Sequence, residues 1–249
     1  MIAIDLNGDA GENPAAIADG SEEAFVASLT SANVACGGHA GNVASMAAMV
    51  AICRSRGVAL GAHPSYPDRA NFGRVSMPLE PDEVEAAVFE QVHALALEAK
   101  GQGTHLVHLK PHGALYHDCA RRPEIAEAVA RAARRQGGDL ALVAAVHSPA
   151  LATWQGMGFR VLAEAFADRR YEPDGTLRSR AHDDALIVDP VEAAAQAVRI
   201  ATRGEVLTLD GTTLQVRAQS ICVHGDTPGA AAIAAAVRRR LVAAGVRLG

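Results

Sequence analysis

The sequence predicts an α/β protein: a distorted parallel (β/α) barrel of about seven strands, formed by residues 1–249 as one domain. Three observations point there. Short apolar runs alternate with helix-length segments along the whole chain, the pattern of parallel strands joined by crossover helices. No linker or composition break divides the 249 residues, a length usual for an α/β barrel and awkward for two domains. The apolar runs also end, one after another, in histidine, lysine or carboxylate, where barrels carry their chemistry. An open doubly wound sheet is the alternative, and it would use the same strand ends.

The elements follow in order. Ile2–Leu6 is the first strand, trailing into Asn7, Gly8 and Asp9. Ser21 with Glu22 and Glu23 opens a helix to about Ser31, because a helix N-terminus favours a hydroxyl cap and carboxylates. Asn33–Cys36 is the second strand, followed by the glycine-rich segment around His39. Asn42 caps a helix to Arg56 with Met46, Val50 and Cys53 at helical spacing, and Gly57 stops it. Val58–Ala62 is the third strand and runs into His63 and a polar loop. Glu80–Pro81–Asp82 opens a helix to Lys100, ended by Gly101 and Gly103. Thr104–Leu109 is the fourth strand, broken by Pro111 and Gly113 in LKPHGALYHD.

Pro123–Gln136 is helical, Leu140–Val146 is the fifth strand, and Ser148–Gln155 is a short helix. Arg160–Ala165 is the sixth strand, with Glu164 near its end. A long connection to Asp189 carries eleven charged residues, counted from Glu164, and leads to a helix over Pro190–Arg203. VLTL-DGT-TLQV then reads as a small β-hairpin inserted before the last strand. Ser220–Val223 ends in His224, Gly225 and Asp226, and Pro228–Ala244 is the terminal helix.

Composition narrows the function. Apolar residues make up 49% and charged residues 20%, enough to bury a sizeable core. Net charge is −5 with the basic residues dispersed, which argues against nucleic acid or an anionic membrane as partner. Cys36, Cys53, Cys119 and Cys222 form no CxxC pair, the N-terminus has no leader pattern, and no apolar run reaches the ~18 residues of a membrane span. A soluble cytoplasmic protein is expected. P-loop, GxGxxG and GxSxG motifs are absent, which disfavours nucleotide binding and a serine-hydrolase elbow.

Collecting the strand ends gives Asp5, Asn7, Asp9, His39, His63, Lys110, His112, His147, Glu164, His224 and Asp226. Carboxylates, imidazoles and a lysine in one mouth suit general acid–base chemistry, because their mutual fields move pKa values toward neutrality. Asp5 reads best as a cap and His147 as a helix start, while His108 is assigned no role. Asp9, His39 and His63 form a set that would suit a divalent metal, but no local ligand motif supports one, so the metal stays open.

At these residues the chain resembles the LamB/YcsF family. The resemblance is carried by DLNGDAGE (Asp5–Glu12), ANVACGGHAGN (Ala32–Asn42), GAHPSYPDRANFGR (Gly61–Arg74), LKPHGALYHD (Leu109–Asp118), EAFADRRYEPDGTLRSR (Glu164–Arg180) and ICVHGDTPGA (Ile221–Ala230). Gly8 and Gly38 depart from it, standing where the family has Cys and Phe. The first departure argues against a thiol nucleophile there, and the second would widen the pocket. The resemblance implies a glycoside hydrolase/deacetylase-like barrel and an ATP-hydrolysing 5-oxoprolinase, converting 5-oxo-L-proline to L-glutamate. In it, partner subunits B and C would use the ATP to phosphorylate the lactam oxygen, and this chain would process the activated lactam.

Such a reaction needs a base for water, a cation for developing negative charge and an acid for the ring nitrogen. The reading assigns Asp9 or Glu164 as base, Lys110 as stabilising cation, and His112 or His224 as acid. Asp226 would orient the groups beside His224, Arg170 would grip the substrate carboxylate, and Asn7, His39 and His63 would complete substrate binding. Two competing readings are a stand-alone metal-dependent deacetylase or amidohydrolase and a non-catalytic lactam- or carbohydrate-binding protein. The oligomeric state is left open, a homo-oligomer included.

Overall fold

The computed structural model of the protein describes residues 2–249. Seven parallel strands close on themselves: β1 (Ala3–Ala10), β2 (Ser31–Ala35), β3 (Ala59–His63), β4 (Leu106–Leu109), β5 (Ala141–Ala145), β6 (Val161–Phe166) and β9 (Ser220–His224). Closure comes from β9 pairing with both β6 and β1, in a register that sets Asp5 beside Ser220 and Asp9 beside His224. The barrel is therefore the observed alternative, and an open sheet is excluded. The hairpin is also present, as β7 (Glu205–Leu207) and β8 (Thr213–Gln215).

Helices wrap the barrel: α1 (Pro14–Asp19), α2 (Ser21–Val26), α3 (Val43–Arg56), α4 (Pro81–Gly101), α5 (Gly113–Arg121), α6 (Pro123–Gln136), α7 (Pro149–Gly156), α8 (Pro190–Arg203) and α9 (Ala230–Ala243). Their ends obey the local chemistry. Asn42 and Ser45 form a capping box on α3, and Gly57 ends it at φ 65°. Leu6, Val34, Leu60, Leu109, Leu142 and Ile221 alternate out of the strands into one apolar core. Each such side chain stabilises the fold by about 1.5–3 kcal/mol.

Five elements differ from the sequence reading. β1 continues past Leu6 to Ala10, so Asn7 and Asp9 lie within a strand. The helix expected from Ser21 to Ser31 ends at Val26, since Ser31 already starts β2, and an additional short helix, Pro14–Asp19, precedes it across Gly20 (φ 81°). Gly113–Arg121 is an additional helix, and β10 (Arg247–Leu248) adds to the start of β1 outside the barrel.

The breaks after β4 have a steric cause. A Cβ on Gly113 would come within 2.5 Å of the Gly73 carbonyl oxygen, at φ +56°. Only glycine lets the chain turn there against the β3–α4 loop. His112 is thereby held at the N-cap of α5, facing inward from the barrel rim.

Candidate functional site

Because side chains alternate along a strand, every second residue of β1 points into the barrel. Asp5, Asn7 and Asp9 accordingly rise through it as three rungs. Asp5 accepts hydrogen bonds from Thr30 Oγ1 (2.6 Å) and Ser31 Oγ (2.9 Å), sealing the bottom. One rung up, Asn33 Nδ2 donates to Asn7 Oδ1 and Asp9 Oδ1 (both 2.7 Å), and Asn7 Nδ2 donates to Glu164 Oε2 (3.1 Å). His108 also faces inward, its Nε2 2.7 Å from Asn33 Oδ1. A Cβ on Gly61 would lie 2.0 Å from that His108 nitrogen, so β3 needs glycine to make room.

The top rung is Lys110. Its ammonium lies 3.0 Å from Asp9 Oδ1 and 3.1 Å from Glu164 Oε2. Burial opposes its charge, but Asp9 and Glu164 outweigh that and raise its pKa well above the usual lysine value. Burial likewise opposes charge on Asp9, yet His63 and Lys110 hold its carboxyl well below the usual range. Both groups are thus ionised. Glu164 is fully enclosed, taking a further hydrogen bond from the Tyr116 hydroxyl (2.8 Å).

Beside this pair stand three imidazoles. His63 Nδ1 donates to the Lys110 carbonyl (2.8 Å) and His112 Nε2 to the Phe72 carbonyl (3.0 Å). Phe72 takes up the left-handed conformation (φ 55°) at that contact. These bonds leave His63 Nε2 and His112 Nδ1 facing each other at 3.0 Å. Two lone pairs cannot share that gap, so a proton or a cation must lie between them. Among protons, the choice is decided by environment. Burial disfavours charge on both rings, but the fields of Asp9 and Glu12 push His63 up, whereas His63 and His39 add to the burial that drives His112 well down. His63 carries the proton and donates it to neutral His112.

His39 stacks on His112 (centroids 3.6 Å apart, planes 4° apart) and sits 2.9 Å from Glu12 Oε1. Burial pushes His39 down to about 2, so it stays neutral, and its Nδ1 is buried without a partner. Burial and the neighbouring Asp9 charge push Glu12 up to about 7. The donor atoms of Glu12, His39, His63 and His112 all lie within 4.8 Å of one another, a set with the chemistry to hold a divalent ion. Of the metal set read from sequence, His39 and His63 join this group. Asp9 does not; it belongs to Lys110.

On the opposite wall His224 receives its orientation from Asp168, with Nδ1 2.9 Å from Oδ1 and the backbone N–H donating to Oδ2 (2.9 Å). Asp226 does not touch His224. It pairs with Arg74 and with Arg180 (2.9 Å), so the orienting role expected for it falls to Asp168. Arg170 points away from the mouth and binds Glu192 (2.7 Å). Asp9, His63, Lys110, His112, Tyr116 and His224 line a cavity of about 350 Å³, whose outer wall includes Arg74, Arg169, Arg178 and Arg180. Asn7, His39 and Glu164 lie beneath or behind that lining.

Neither departure from the family pattern alters the cavity. A side chain on Gly8 would meet Phe25 and Leu29 of the helical layer, and one on Gly38 would meet Ser65 and Gln91. Gly38 therefore does not widen the pocket. Three residues here escaped the sequence reading of roles: Glu12, Asp168 and Tyr116. The alternation Glu164–Phe166–Asp168 was the available signal for the second.

A closed parallel barrel with a mouth of ionised, paired acid–base groups defines an α/β-barrel protein built for proton-transfer chemistry. The chain belongs to the LamB/YcsF family, whose model matches residues 4–249. The A subunit of 5-oxoprolinase from Chloroflexus aggregans is 51% identical over 246 residues, covering 99% of this chain and 98% of that protein. Its counterpart from Methylococcus capsulatus, also a 5-oxoprolinase A subunit, is 48% identical over 98% of this chain and 94% of its own length. Among solved structures, the lactam utilization protein from Thermus thermophilus superposes with a TM-score of 0.91 at 40% identity, covering 99% of both chains. No helix among the described residues is long and apolar enough to cross a membrane.

Proposed function

We propose that this chain, acting as one domain, is the lactam-opening subunit of a cytoplasmic ATP-dependent 5-oxoprolinase, and that it releases L-glutamate from activated 5-oxo-L-proline. The observation that carries the reading is the Asp9–Lys110 ion pair (3.0 Å) set beside protonated His63, in a cavity of about 350 Å³ with room for a small cyclic amide. A five-membered lactam is a resonance-stabilised amide that water attacks slowly. Partner subunits B and C would spend ATP to phosphorylate its oxygen, which fits a chain with no nucleotide-binding motif of its own.

The residues then divide the work. Water, oriented by Asp9, adds to the activated carbon as protonated His63 hands its Nε2 proton through His112 to the ionised form of Glu12, whose carboxyl titrates near neutrality. The freed His63 nitrogen takes the water's proton. Lys110 offsets the negative charge that develops at the carbon's oxygens. The ring C–N bond breaks as His224 supplies a proton to nitrogen, and a second water releases phosphate from the resulting acyl phosphate. Glu164, enclosed by Asn7, Lys110 and Tyr116, fixes the lysine rather than attacking water. The test is reconstitution with the partner subunits, following glutamate formed from 5-oxoproline and ATP. Activity on a different amide with no glutamate from 5-oxoproline would overturn the reading.

A second reading, a metal-dependent amidohydrolase acting alone, is favoured by one specific observation. Two of the four clustered donors are imidazoles whose far nitrogens are anchored on backbone carbonyls, the way metal-binding histidines are oriented. Elemental analysis of the purified chain and a chelator titration separate the two. Activity without partners that disappears on chelation would replace the first reading by the second.

A further inference from the structure

Arg169 is the unusual charge of this molecule. It is 6% exposed, lines the cavity, and makes no ion pair with any carboxylate among the described residues. Of the five donors of its guanidinium, one is used, in a bond from Nη2 to the Arg178 carbonyl (2.6 Å). Its Nε is buried with no partner at all. The neighbouring carboxylates are all committed elsewhere. Asp168 gives both oxygens to His224 and Thr227, Asp226 is taken by Arg74 and Arg180, and Glu172 and Asp184 are taken by Arg178.

A buried, unpaired cation is expensive to keep, and proteins rarely retain one without a counter-ion. The backbone is nonetheless arranged to hold it. The Arg169 carbonyl accepts from Gln196 Nε2 of α8 (2.8 Å), and the residue bridges to Leu186. Burial and the field of Arg180 push the guanidinium down to about 10, which still leaves it charged at neutral pH. His117 on the same lining is driven down by burial and by Arg121 and Arg169, so the charge of Arg169 is felt on this side of the cavity.

We propose that Arg169 is the anion anchor of the cavity, a rigid fork that takes two oxygens of a substrate carboxylate opposite the Asp9–Lys110 pair's proton chemistry. Resting on the lactam reading, the ligand is the carboxylate of 5-oxoproline, gripped by the guanidinium N–H groups that no protein atom occupies. The same fork matches a phosphoryl group, and the two sources of oxygens are separable by experiment. Arg169 thereby replaces Arg170, one residue away but turned to solvent, as the carboxylate-binding arginine.

The test is calorimetric titration of the full chain and its Arg169→Met and Arg169→Lys variants with 5-oxo-L-proline, its neutral carboxamide, and inorganic phosphate. Arg169→Met should weaken 5-oxoproline about 30-fold or more, leave the already weak carboxamide unchanged, and be only partly rescued by Arg169→Lys. Removing a charge with no internal partner should leave the melting temperature of the free chain equal or higher, whereas a structural arginine would lower it. Loss of phosphate binding with 5-oxoproline unchanged would move the fork to a phosphoryl group and overturn the carboxylate assignment. If the wild-type chain binds phosphate but not 5-oxoproline, and Arg169→Met abolishes it, the lactam reading fails while the anion site stands. Unchanged affinity for all three probes, or a lower melting temperature in Arg169→Met, would overturn the anchor itself.

Discussion

The two walls of the mouth are built on different principles. One wall, from β1 to β4, sets Asp9, His39, His63, Lys110 and His112 on strand ends or the turns directly after them, nearly all buried and each tied to a second residue. The other wall is the long connection after β6, where Arg74 from the facing loop meets Arg169, Arg178 and Arg180, and where several charges are partly exposed. Strands held in a closed barrel fix atoms to the tolerance that proton transfer needs. A polar connection cannot do that as well, but it can present many charges to an arriving anion. The difference teaches a division of labour: strand residues should control turnover, and connection residues should control affinity.

The hardest test of that division is Lys110→Met. Asp9 and Glu164 would lose their shared cation, and the developing charge would lose its stabiliser. Turnover by the assembled complex should fall by about 10³-fold with KM changed only a few-fold, because one preorganised charge contributes on that scale. Unfolding should show a loss of about 3–5 kcal/mol, the usual cost of stranding a buried partner. A KM defect with normal turnover would break the comparison outright. Asp168→Asn comes next. Asp168 belongs to the connection by sequence but serves the chemistry by holding His224, so it should behave like a strand residue. Steady-state kinetics should record about a 10²-fold lower kcat at unchanged KM.

The contrast also explains what could be read in the sequence. Outward strand faces are apolar, so all seven barrel strands were recognisable as apolar runs. The barrel interior is polar, and that misled the reading of β1: Asn7, Gly8 and Asp9 looked like a loop because an apolar-run criterion sees only the outward face. Inward residues at strand ends were legible for the same reason in reverse, as polar intrusions such as Lys110 in LKPH. The connection gave no comparable signal. Nothing in the sequence distinguishes Arg169 from Arg170, and only the alternation Glu164–Phe166–Asp168 points to Asp168 over Asp226, because their roles depend on which way an irregular backbone turns each side chain. Glu12 was hidden for a related reason, lying two residues beyond β1 and reaching back under the imidazoles.

Glu12 supplies a test of the strand wall that needs no substrate. Its carboxyl is held up to about 7 against a usual 4.5. The folded chain therefore keeps a proton that the unfolded chain releases between those values. Glu12's contribution is fully present below about pH 4.5 and is lost as the pH rises through about 7, where charging it inside the wall costs about 3 kcal/mol. Glu12→Gln removes the charge, so its stability relative to the parent should improve by about that amount between pH 4.5 and pH 8. Denaturant unfolding with a chelator present measures it. A difference that stays flat with pH would mean that Glu12 is ionised when folded, and that the imidazole cluster is no proton store.

The smallest effect belongs to Asp226, and it is the one that separates the walls most cleanly. Sequence position beside His224 would make Asp226 catalytic, but its oxygens bind Arg74 and Arg180 across the rim. These pairs are partly exposed, so water screens them and each is worth about 0–1 kcal/mol. Asp226→Asn should therefore leave kcat within about two-fold of the parent. Freeing two arginines at the entrance should also raise the local positive potential, so KM for an anionic substrate should stay level or fall slightly, most visibly at low ionic strength. A large kcat loss would return Asp226 to the chemistry and move the boundary between the walls inward by one residue shell.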